Sequence, residues 1–198
     1  MSTTTETSTG PETLRLFIAI DTSSELRRKL RDVQEELGMH DTGIRWVRPD
    51  CMHFTIVFLG DASSTQIPPL TNAMDMVSAE ISPFSCNVTG LGTFGGLNSP
   101  RVIWAGIREA PALHAIHDSL CVELRKLDIT IEDRDFMPHL TIGRVKDARR
   151  RPDLMRHIMT HEVTSFGPLR VDSLLLMKSE LLPGGPQYSV LHRTALSP

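Results

Sequence analysis

Hydrophobic residues follow two different spacings along the chain, and segments of the two kinds alternate from about residue 14 to residue 192. Continuous or alternating apolar runs predict strands at 14–20, 44–47, 52–59, 84–88, 101–107, 163–169, 171–178 and 188–192. Apolar residues three or four positions apart predict helices at 24–37, 67–81, 111–127 and 152–160. The glycine-rich segment 90–96 is predicted to be a loop between two strands. This order of elements indicates an α+β fold.

One short motif occurs twice, as His53-Phe54-Thr55-Ile56 and as His139-Leu140-Thr141-Ile142. Side chains alternate between the two faces of a strand, so His and Thr share one face and their apolar neighbours the other. Two core strands that each happen to carry a His and a Thr are the alternative interpretation. Buried histidines are usually single rather than repeated in register, which favours a functional pair. We therefore expect two related lobes whose motif strands face a shared cleft.

The repeated residues are suited to acid–base chemistry on a phosphate. Hydrolysis of a phosphodiester needs a base for the attacking water and an acid for the departing oxygen. Histidine, with an ordinary pKa of about 6.5, can fill either role near neutral pH. In-line displacement places base and acid on opposite sides of phosphorus, as two facing lobes would. Thr55 and Thr141 can donate hydrogen bonds to the non-bridging oxygens, where negative charge accumulates.

Composition limits the class of protein. The chain has 198 residues, 40% of them hydrophobic and 23% charged, which is typical of a globular protein with a substantial core. A net charge of −3 argues against a protein that coats nucleic acid non-specifically. Three separated cysteines fit reduced thiols better than a disulfide framework. No run approaches the ~18 apolar residues of a membrane-spanning helix, and residues 1–12 are expected to form a flexible tail before a single domain, 13–198.

Three arginines and several aromatic residues are candidates for contact with substrate. Arg144, Arg101 and Arg45 could neutralise phosphate, although a solvated surface charge is an equally good interpretation of each. In a regular strand Arg144 points away from His139 and Thr141, and it would line the cleft only if the strand bends at Gly143. The aromatic candidates for base stacking are mostly expected to be core residues: Phe17, Phe58, Trp46 and Trp104.

The motifs and their flanks resemble the 2H phosphoesterase superfamily, and within it the bacterial and archaeal RNA 2′,3′-cyclic phosphodiesterases, also called 2′-5′ RNA ligases. The resemblance is carried by segments spread over most of the chain: 15–21, 45–49, 101–104, 136–144 and 185–191. It implies a bilobal, pseudo-symmetric α+β fold. In that fold two mainly antiparallel sheets face each other across a central cleft, and the helices pack outside.

The resemblance also implies an activity and a set of site residues. The expected reaction is metal-independent and cofactor-free hydrolysis of RNA 2′,3′-cyclic phosphate ends to 2′-phosphates, with weak reversible 2′-5′ ligation. His53 would be the proton donor, His139 the proton acceptor, and Thr55 and Thr141 the phosphate-binding residues. The expected partners are RNA 3′ ends or nucleotides with a 2′,3′-cyclic phosphate, and no membrane. The protein is expected to be a cytoplasmic monomer.

Two alternatives stay open at this point. The first is an RNA-end or nucleotide-binding module that keeps the cleft but turns over little substrate. The second is a phosphodiesterase whose substrates are small cyclic nucleotides or an ADP-ribose cyclic phosphate. Intact His and Thr residues in both motifs favour an enzyme. An assay of turnover on a small cyclic nucleotide distinguishes an enzyme from the binding module of the first alternative.

Overall fold

The computed structural model describes residues 11–38, 43–96, 99–108, 110–131, 135–147 and 153–197. Residues 1–10 of the predicted tail lie outside the described residues, and Pro11 and Glu12 are exposed. Nine strands and four α-helices lie in the described ranges: β1 (Thr13–Asp21), α1 (Ser24–Glu36), β2 (Ile44–Trp46), β3 (His53–Ser63), α2 (Ile67–Ser78), β4 (Phe84–Gly96), β5 (Ser99–Ile107), α3 (Pro111–Arg125), β6 (His139–Val145), α4 (Leu154–Thr160), β7 (Ser165–Val171), β8 (Ser173–Leu182) and β9 (Gly185–Ala195). Among these residues no helix combines the length and the apolar character that crossing a membrane requires.

The strands form two sheets in which every neighbouring pair is antiparallel. Sheet A has the order β3-β1-β8-β9, and sheet B has the order β2-β6-β5-β4-β7. The first His–Thr motif lies at the start of β3 in sheet A, and the second lies at the start of β6 in sheet B. The predicted α+β fold with two antiparallel sheets is therefore confirmed, with one motif in each sheet.

Neither sheet is formed by one continuous part of the chain. Sheet A combines β1 and β3 with the C-terminal strands β8 and β9, whereas sheet B takes β2 and the strands from β4 to β7. The chain thus passes from sheet A to sheet B for β2, returns for β3, and comes back to sheet A only at β8. Each sheet needs both halves of the chain to be complete.

Most of the buried apolar side chains form one cluster that joins both sheets to the helices. In β1, Leu16, Ile18 and Ile20 are at most 1% exposed and belong to this cluster. Phe17 and Ala19 alternate with them and form a second, smaller cluster on the opposite face of sheet A. Leu175, Met177 and the ring of Tyr188 complete that cluster. The two clusters explain why the sequence of β1 is a continuous apolar run, because both faces of the strand are covered.

The prediction of a loop at 90–96 is wrong, because these residues belong to β4. A Cβ atom at Gly92 would lie 2.3 Å from ring atoms of Trp104, the residue paired with Gly92 on β5. Glycine is therefore needed here so that the Trp104 indole can lie across the neighbouring strand. Gly90 and Gly95 have positive φ values of 80° and 105° and lie next to irregularities in the strand register. Glycine here indicates a bulged strand rather than a loop.

A single buried amide joins α1 to the second motif. Gln34 is 1% exposed, and its Nε2 donates 2.8 Å hydrogen bonds to the carbonyl oxygens of Val47 and Ile142. Ile142 is the last residue of the second motif, and its carbonyl also accepts from the Val47 amide at 3.0 Å. Gln34 thus fixes the strand that carries His139 relative to the helix outside it.

Replacing Gln34 by leucine should reduce the free energy of unfolding by about 1–3 kcal/mol, because the Val47 carbonyl would be left buried without a donor. Urea denaturation followed by circular dichroism measures this change. Glu35→Leu on the exposed side of the same helix is the matched control. It removes only an exposed ion pair with Arg31 and should change stability by no more than ~0.5 kcal/mol. Equal effects of the two substitutions would contradict the role given to Gln34.

Candidate active site

A cleft of about 680 Å³ lies between residues of the two sheets. Strands β1, β3 and β8 and the start of β9 contribute from sheet A, and strands β2 and β6 contribute from sheet B. All four motif residues line this cleft: His53, Thr55, His139 and Thr141. The structure therefore brings the two copies of the motif together, as the alternation of their side chains predicts.

His53 is held from two directions. Its ring stacks on Phe17, with the ring centroids 4.7 Å apart, and meets the edge of Tyr188 at 4.9 Å. Its Nδ1 lies 2.9 Å from the main-chain carbonyl oxygen of Cys51, at the end of the short turn Pro49–Cys51. The stacking fixes the plane of the imidazole, and the hydrogen bond fixes its rotation within that plane.

His139 repeats this arrangement in sheet B. Its Nδ1 lies 2.7 Å from the carbonyl oxygen of Met137, which is again the residue two positions earlier. The ring of Phe94 meets it edge-on at 4.7 Å. A carbonyl oxygen can only accept, so Nδ1 must carry the hydrogen in both histidines. In the neutral imidazole the lone pair is then on Nε2, which has no hydrogen-bond partner in the part of the chain that the structure describes.

Both imidazoles are less basic than a free histidine. Burial lowers the pKa of His53 to about 4, although the hydrogen bond to the Cys51 carbonyl and the charge of Asp21 oppose the change. Burial also lowers the pKa of His139; the bond to Met137 opposes this, and the positive charge of Arg144 adds to it. Both rings are therefore neutral at pH 7 when the cleft is empty, and each presents a basic Nε2.

The hydroxyl groups of Thr55 and Thr141 complete the four-residue set. Both threonines are half-buried and line the cleft. Neither hydroxyl has a hydrogen-bond partner among the described residues, so both are free to donate to a ligand. The apolar partners Phe54 and Leu140 are fully buried behind them and anchor the two strands.

Each motif is followed by the same irregularity of the strand. In β3, Ala19 pairs with Thr55 and Ile18 with Val57, which leaves Ile56 as an extra residue. In β6, Trp104 pairs with Thr141 and Ile103 with Gly143, which leaves Ile142 as the extra residue. An extra residue reverses the alternation of side chains beyond it. The fifth residue after each histidine consequently faces the cleft, and these residues are Phe58 and Arg144.

The three predicted arginines have different positions. Arg144 lines the cleft because of the irregularity beside Gly143, whereas a regular strand would turn it away. Arg45 pairs with Arg144 in register on β2 and also lines the cleft. Arg101 is not among the cleft-lining residues. It is exposed, and its side chain lies near Gly95 at the end of the β4–β5 hairpin, so the structure gives no support for Arg101 as a substrate contact.

The aromatic candidates divide in the same way. Phe58 lines the cleft and is 54% exposed, so its ring is accessible to a ligand. Phe17 is 3% exposed and is covered by His53. Trp46 lines the cleft wall near Gly143, whereas Trp104 lies against Gly92 and Gly106 outside the cleft. Phe58 is the candidate whose position suits base stacking.

Sequence reasoning missed several residues of the cleft, and two matter most. Arg15 and Tyr188 both line it, but they come from strands at opposite ends of the chain, β1 and β9. Arg15 gave a weak signal, because it is a charged residue alternating with the buried Leu14 and Leu16. Tyr188 gave none beyond its place in a strand, since only the pairing of β8 with β9 brings it beside His53.

The described residues contain no group of three or more His, Cys, Asp or Glu side chains placed to hold a metal ion. His114 and His117, which share a helical face, contact other groups. Nδ1 of His114 lies 3.0 Å from the Ala110 carbonyl oxygen, and the His117 ring stacks on Phe136 at 4.2 Å.

Comparisons with known proteins agree with this geometry. The family described as "LigT like Phosphoesterase" matches residues 20–104 and 107–188, so each matched segment contains one copy of the motif. An Archaeoglobus fulgidus protein named RNA 2′,3′-cyclic phosphodiesterase is 33% identical over 178 residues, which cover 90% of this chain and 98% of the relative.

Two crystal structures have similar folds. A Thermus thermophilus protein superposes with a TM-score of 0.80 and 28% identity, covering 92% of this chain and 98% of its own. Escherichia coli LigT complexed with 3′-AMP has a TM-score of 0.75 and 26% identity, covering 94% and 100%. The paired motifs, the fold and the family match over most of the chain lead to one conclusion: the chain belongs to the LigT-like phosphoesterases, a family of the 2H phosphoesterase superfamily.

Proposed function

We propose that the protein is an RNA 2′,3′-cyclic phosphodiesterase that opens the cyclic phosphate at an RNA 3′ end and leaves a 2′-phosphate. The observation that carries this proposal is the pair of imidazoles in one cleft. Each comes from a different sheet, and each has Nδ1 bonded to a main-chain carbonyl and Nε2 without a partner among the described residues. Relatives named for this activity support it.

The proposed reaction uses the two imidazoles in opposite roles. Nε2 of His139 takes a proton from water, whose oxygen attacks phosphorus as the bond to the 3′ oxygen breaks. Nε2–H of His53 gives its proton to the departing 3′ oxygen, which leaves as a hydroxyl. The hydroxyls of Thr55 and Thr141 donate to the non-bridging oxygens, and the Arg144 guanidinium offsets their negative charge. No atom of a metal or nucleotide cofactor takes part in these steps.

The substrate itself supplies the protonation state that the donor requires. Burial keeps both imidazoles neutral in the empty cleft, which suits the base but not the acid. A bound cyclic phosphate brings one negative charge close to both rings, and a nearby opposite charge favours the protonated form. Burial also makes the His53 imidazolium a stronger acid than a free imidazolium. Once it has formed, it therefore transfers its proton to the leaving oxygen more readily.

The same groups can open the cyclic phosphate with a different nucleophile. A 5′-hydroxyl in place of water, deprotonated by the imidazole that otherwise receives the water proton, would join two RNA ends through a 2′-5′ linkage. The energy comes from the strained cyclic phosphate, so this weak ligation needs no nucleotide cofactor. The expected monomeric state and cytoplasmic location stay predictions.

Replacing either imidazole should remove most of the turnover. His53→Ala and His139→Ala each delete one proton-transfer group, and such groups typically contribute ~10²–10⁴-fold. Turnover of a 2′,3′-cyclic nucleotide by the purified variants measures the loss, and circular dichroism checks their folding. His192→Ala is the control, because that histidine bonds to Asp75 outside the cleft. Near-normal activity in either cleft variant would rule out the two-histidine mechanism.

The pH dependence should differ between the free and the substrate-bound enzyme. Burial lowers the pKa of both imidazoles, so the protonated donor of the free enzyme becomes scarce as pH rises, and kcat/KM should already be falling below the ordinary histidine pKa of about 6.5. Bound phosphate raises the pKa of the donor, so the alkaline limb of kcat should lie at higher pH. Steady-state rates measured from about pH 4.5 to about pH 9, on both sides of the ordinary histidine pKa of about 6.5, give both profiles. Coincident alkaline limbs would contradict the proposed role of the substrate charge.

The product should carry a 2′-phosphate and a free 3′-hydroxyl. The near-symmetric cleft alone permits cleavage of either ester bond, and the direction follows from the roles given to His53 and His139 by the family resemblance. Chromatography of a digest of a 2′,3′-cyclic nucleotide, with authentic 2′- and 3′-monophosphates as standards, identifies the product. A 3′-phosphate would show that the direction is wrong while leaving the need for both histidines unchanged.

A further inference from the structure

The cleft carries more positive charge than a cyclic phosphate can neutralise. Its lining contains four arginines: Arg15, Arg45, Arg48 and Arg144. No aspartate or glutamate is found among the described residues that line it. The whole chain, by contrast, has a net charge of −3. A 2′,3′-cyclic phosphate has a single negative charge, which Arg144 and the two threonine hydroxyls already face.

Three of these arginines also lack a carboxylate partner among the described residues. Arg48 is bonded to Asp50 at 3.1 Å. Within the described ranges, neither Arg15 nor Arg45 nor Arg144 forms an ion pair, although Asp61 lies opposite Arg15 in register. Five arginines outside the cleft are each paired with a nearby acid: Arg27 with Asp21, Arg28 with Asp32, Arg31 with Glu35, Arg156 with Asp153 and Arg170 with Asp172.

Arg15 lies far along its strand from the four motif residues, and Arg45 lies beside Arg144 on the neighbouring strand. On β1, Arg15 is four positions from Ala19, which pairs with Thr55, and this spacing corresponds to about 13 Å along the strand. Arg45 belongs to the other sheet, and its Nη2 lies 2.9 Å from where a Cβ of Gly185 would be. The glycine at the start of β9 therefore leaves room for the Arg45 side chain against the β8–β9 hairpin.

Tyr188 contacts His53 and is within electrostatic reach of these arginines. Its ring meets the His53 ring edge-on, and no described residue bonds to its hydroxyl. Burial raises the pKa of this phenol, while the positive charges of Arg144, Arg45 and Arg15 oppose the increase. The three guanidinium groups thus all act on the region around the Tyr188 hydroxyl, which is itself a hydrogen-bond donor.

We propose that Arg15, Arg45 and the Tyr188 hydroxyl form a second phosphate subsite, which binds the phosphodiester joining the last two nucleotides of the RNA. This inference rests on the proposed function and adds to it a preference for oligonucleotide ends over mononucleotides. Guanidinium groups from opposite walls bind a phosphate with charge-assisted hydrogen bonds, and the phenol adds a third donor. At the same time the cyclic phosphate is bound beside His53, Thr55, His139 and Thr141.

The test compares substrates that differ by one phosphodiester. For the unmodified enzyme, kcat/KM on a dinucleotide ending in a 2′,3′-cyclic phosphate should exceed that on the mononucleotide. Arg15→Gln and Arg45→Gln should each lower the dinucleotide value by roughly tenfold more than the mononucleotide value, about the effect of one charged hydrogen bond. A dinucleotide with an uncharged methylphosphonate linkage should behave like the mononucleotide in all proteins. Arg170→Gln, an exposed arginine outside the cleft, is the matched control.

Equilibrium titration with the dinucleotide 2′-phosphate product gives the same comparison without turnover, so the subsite is tested even if the proposed activity is wrong. The inference is overturned if either variant weakens mononucleotide and dinucleotide alike, or if the methylphosphonate dinucleotide matches the charged one. An ADP-ribose cyclic phosphate, which carries its extra charge on a diphosphate, should respond less to the two substitutions than the dinucleotide does. A larger response would assign the subsite to that nucleotide class instead of RNA.

Discussion

The pairing of β1 with a strand on each side holds the site together. β1 forms hydrogen bonds with β3, which carries His53 and Thr55, and with β8, which leads into the hairpin that carries Tyr188. Both of its faces are buried, one in the main core and one under the cleft. Because β3 and β8 are far apart in the chain, the cleft forms only after long-range pairing. This dependence is why we infer that residues 13–198 fold as one unit.

The two motifs are alike in geometry and differ in their surroundings. Both imidazoles bond through Nδ1 to a carbonyl two residues earlier, and both strands gain an extra residue after the threonine. The difference appears at the fifth position, where sheet A places an accessible aromatic ring and sheet B a guanidinium. At this position the cleft therefore presents an aromatic ring on one wall and a positive charge on the other, which suits a ligand with a base at one end and phosphate at the other.

The alternation of side chains along a strand is enough to predict that the His and Thr of each motif share one face, because they are only two residues apart. It failed at Arg144, since an extra residue in the strand cannot be read from a pattern that assumes regular alternation. It also failed at 90–96, where glycine serves the packing of Trp104, a residue on the adjacent strand. Arg101 was grouped with Arg45 by charge alone. Arg15 and Tyr188 join the cleft through strand pairings that no local pattern encodes.

The use of main-chain carbonyls to orient both histidines has a consequence for how the enzyme tolerates mutation. In many enzymes a carboxylate side chain fixes the catalytic imidazole, and one substitution can remove it. Here the acceptors belong to Cys51 and Met137, and every amino acid at those positions would offer the same oxygen. A peptide carbonyl also keeps its acceptor over the whole accessible pH range. The tautomer of each histidine is therefore insensitive to substitution at Cys51 and Met137. Changes in the backbone conformation of residues 49–53 or 135–139 would instead move the carbonyl acceptors and disturb the site.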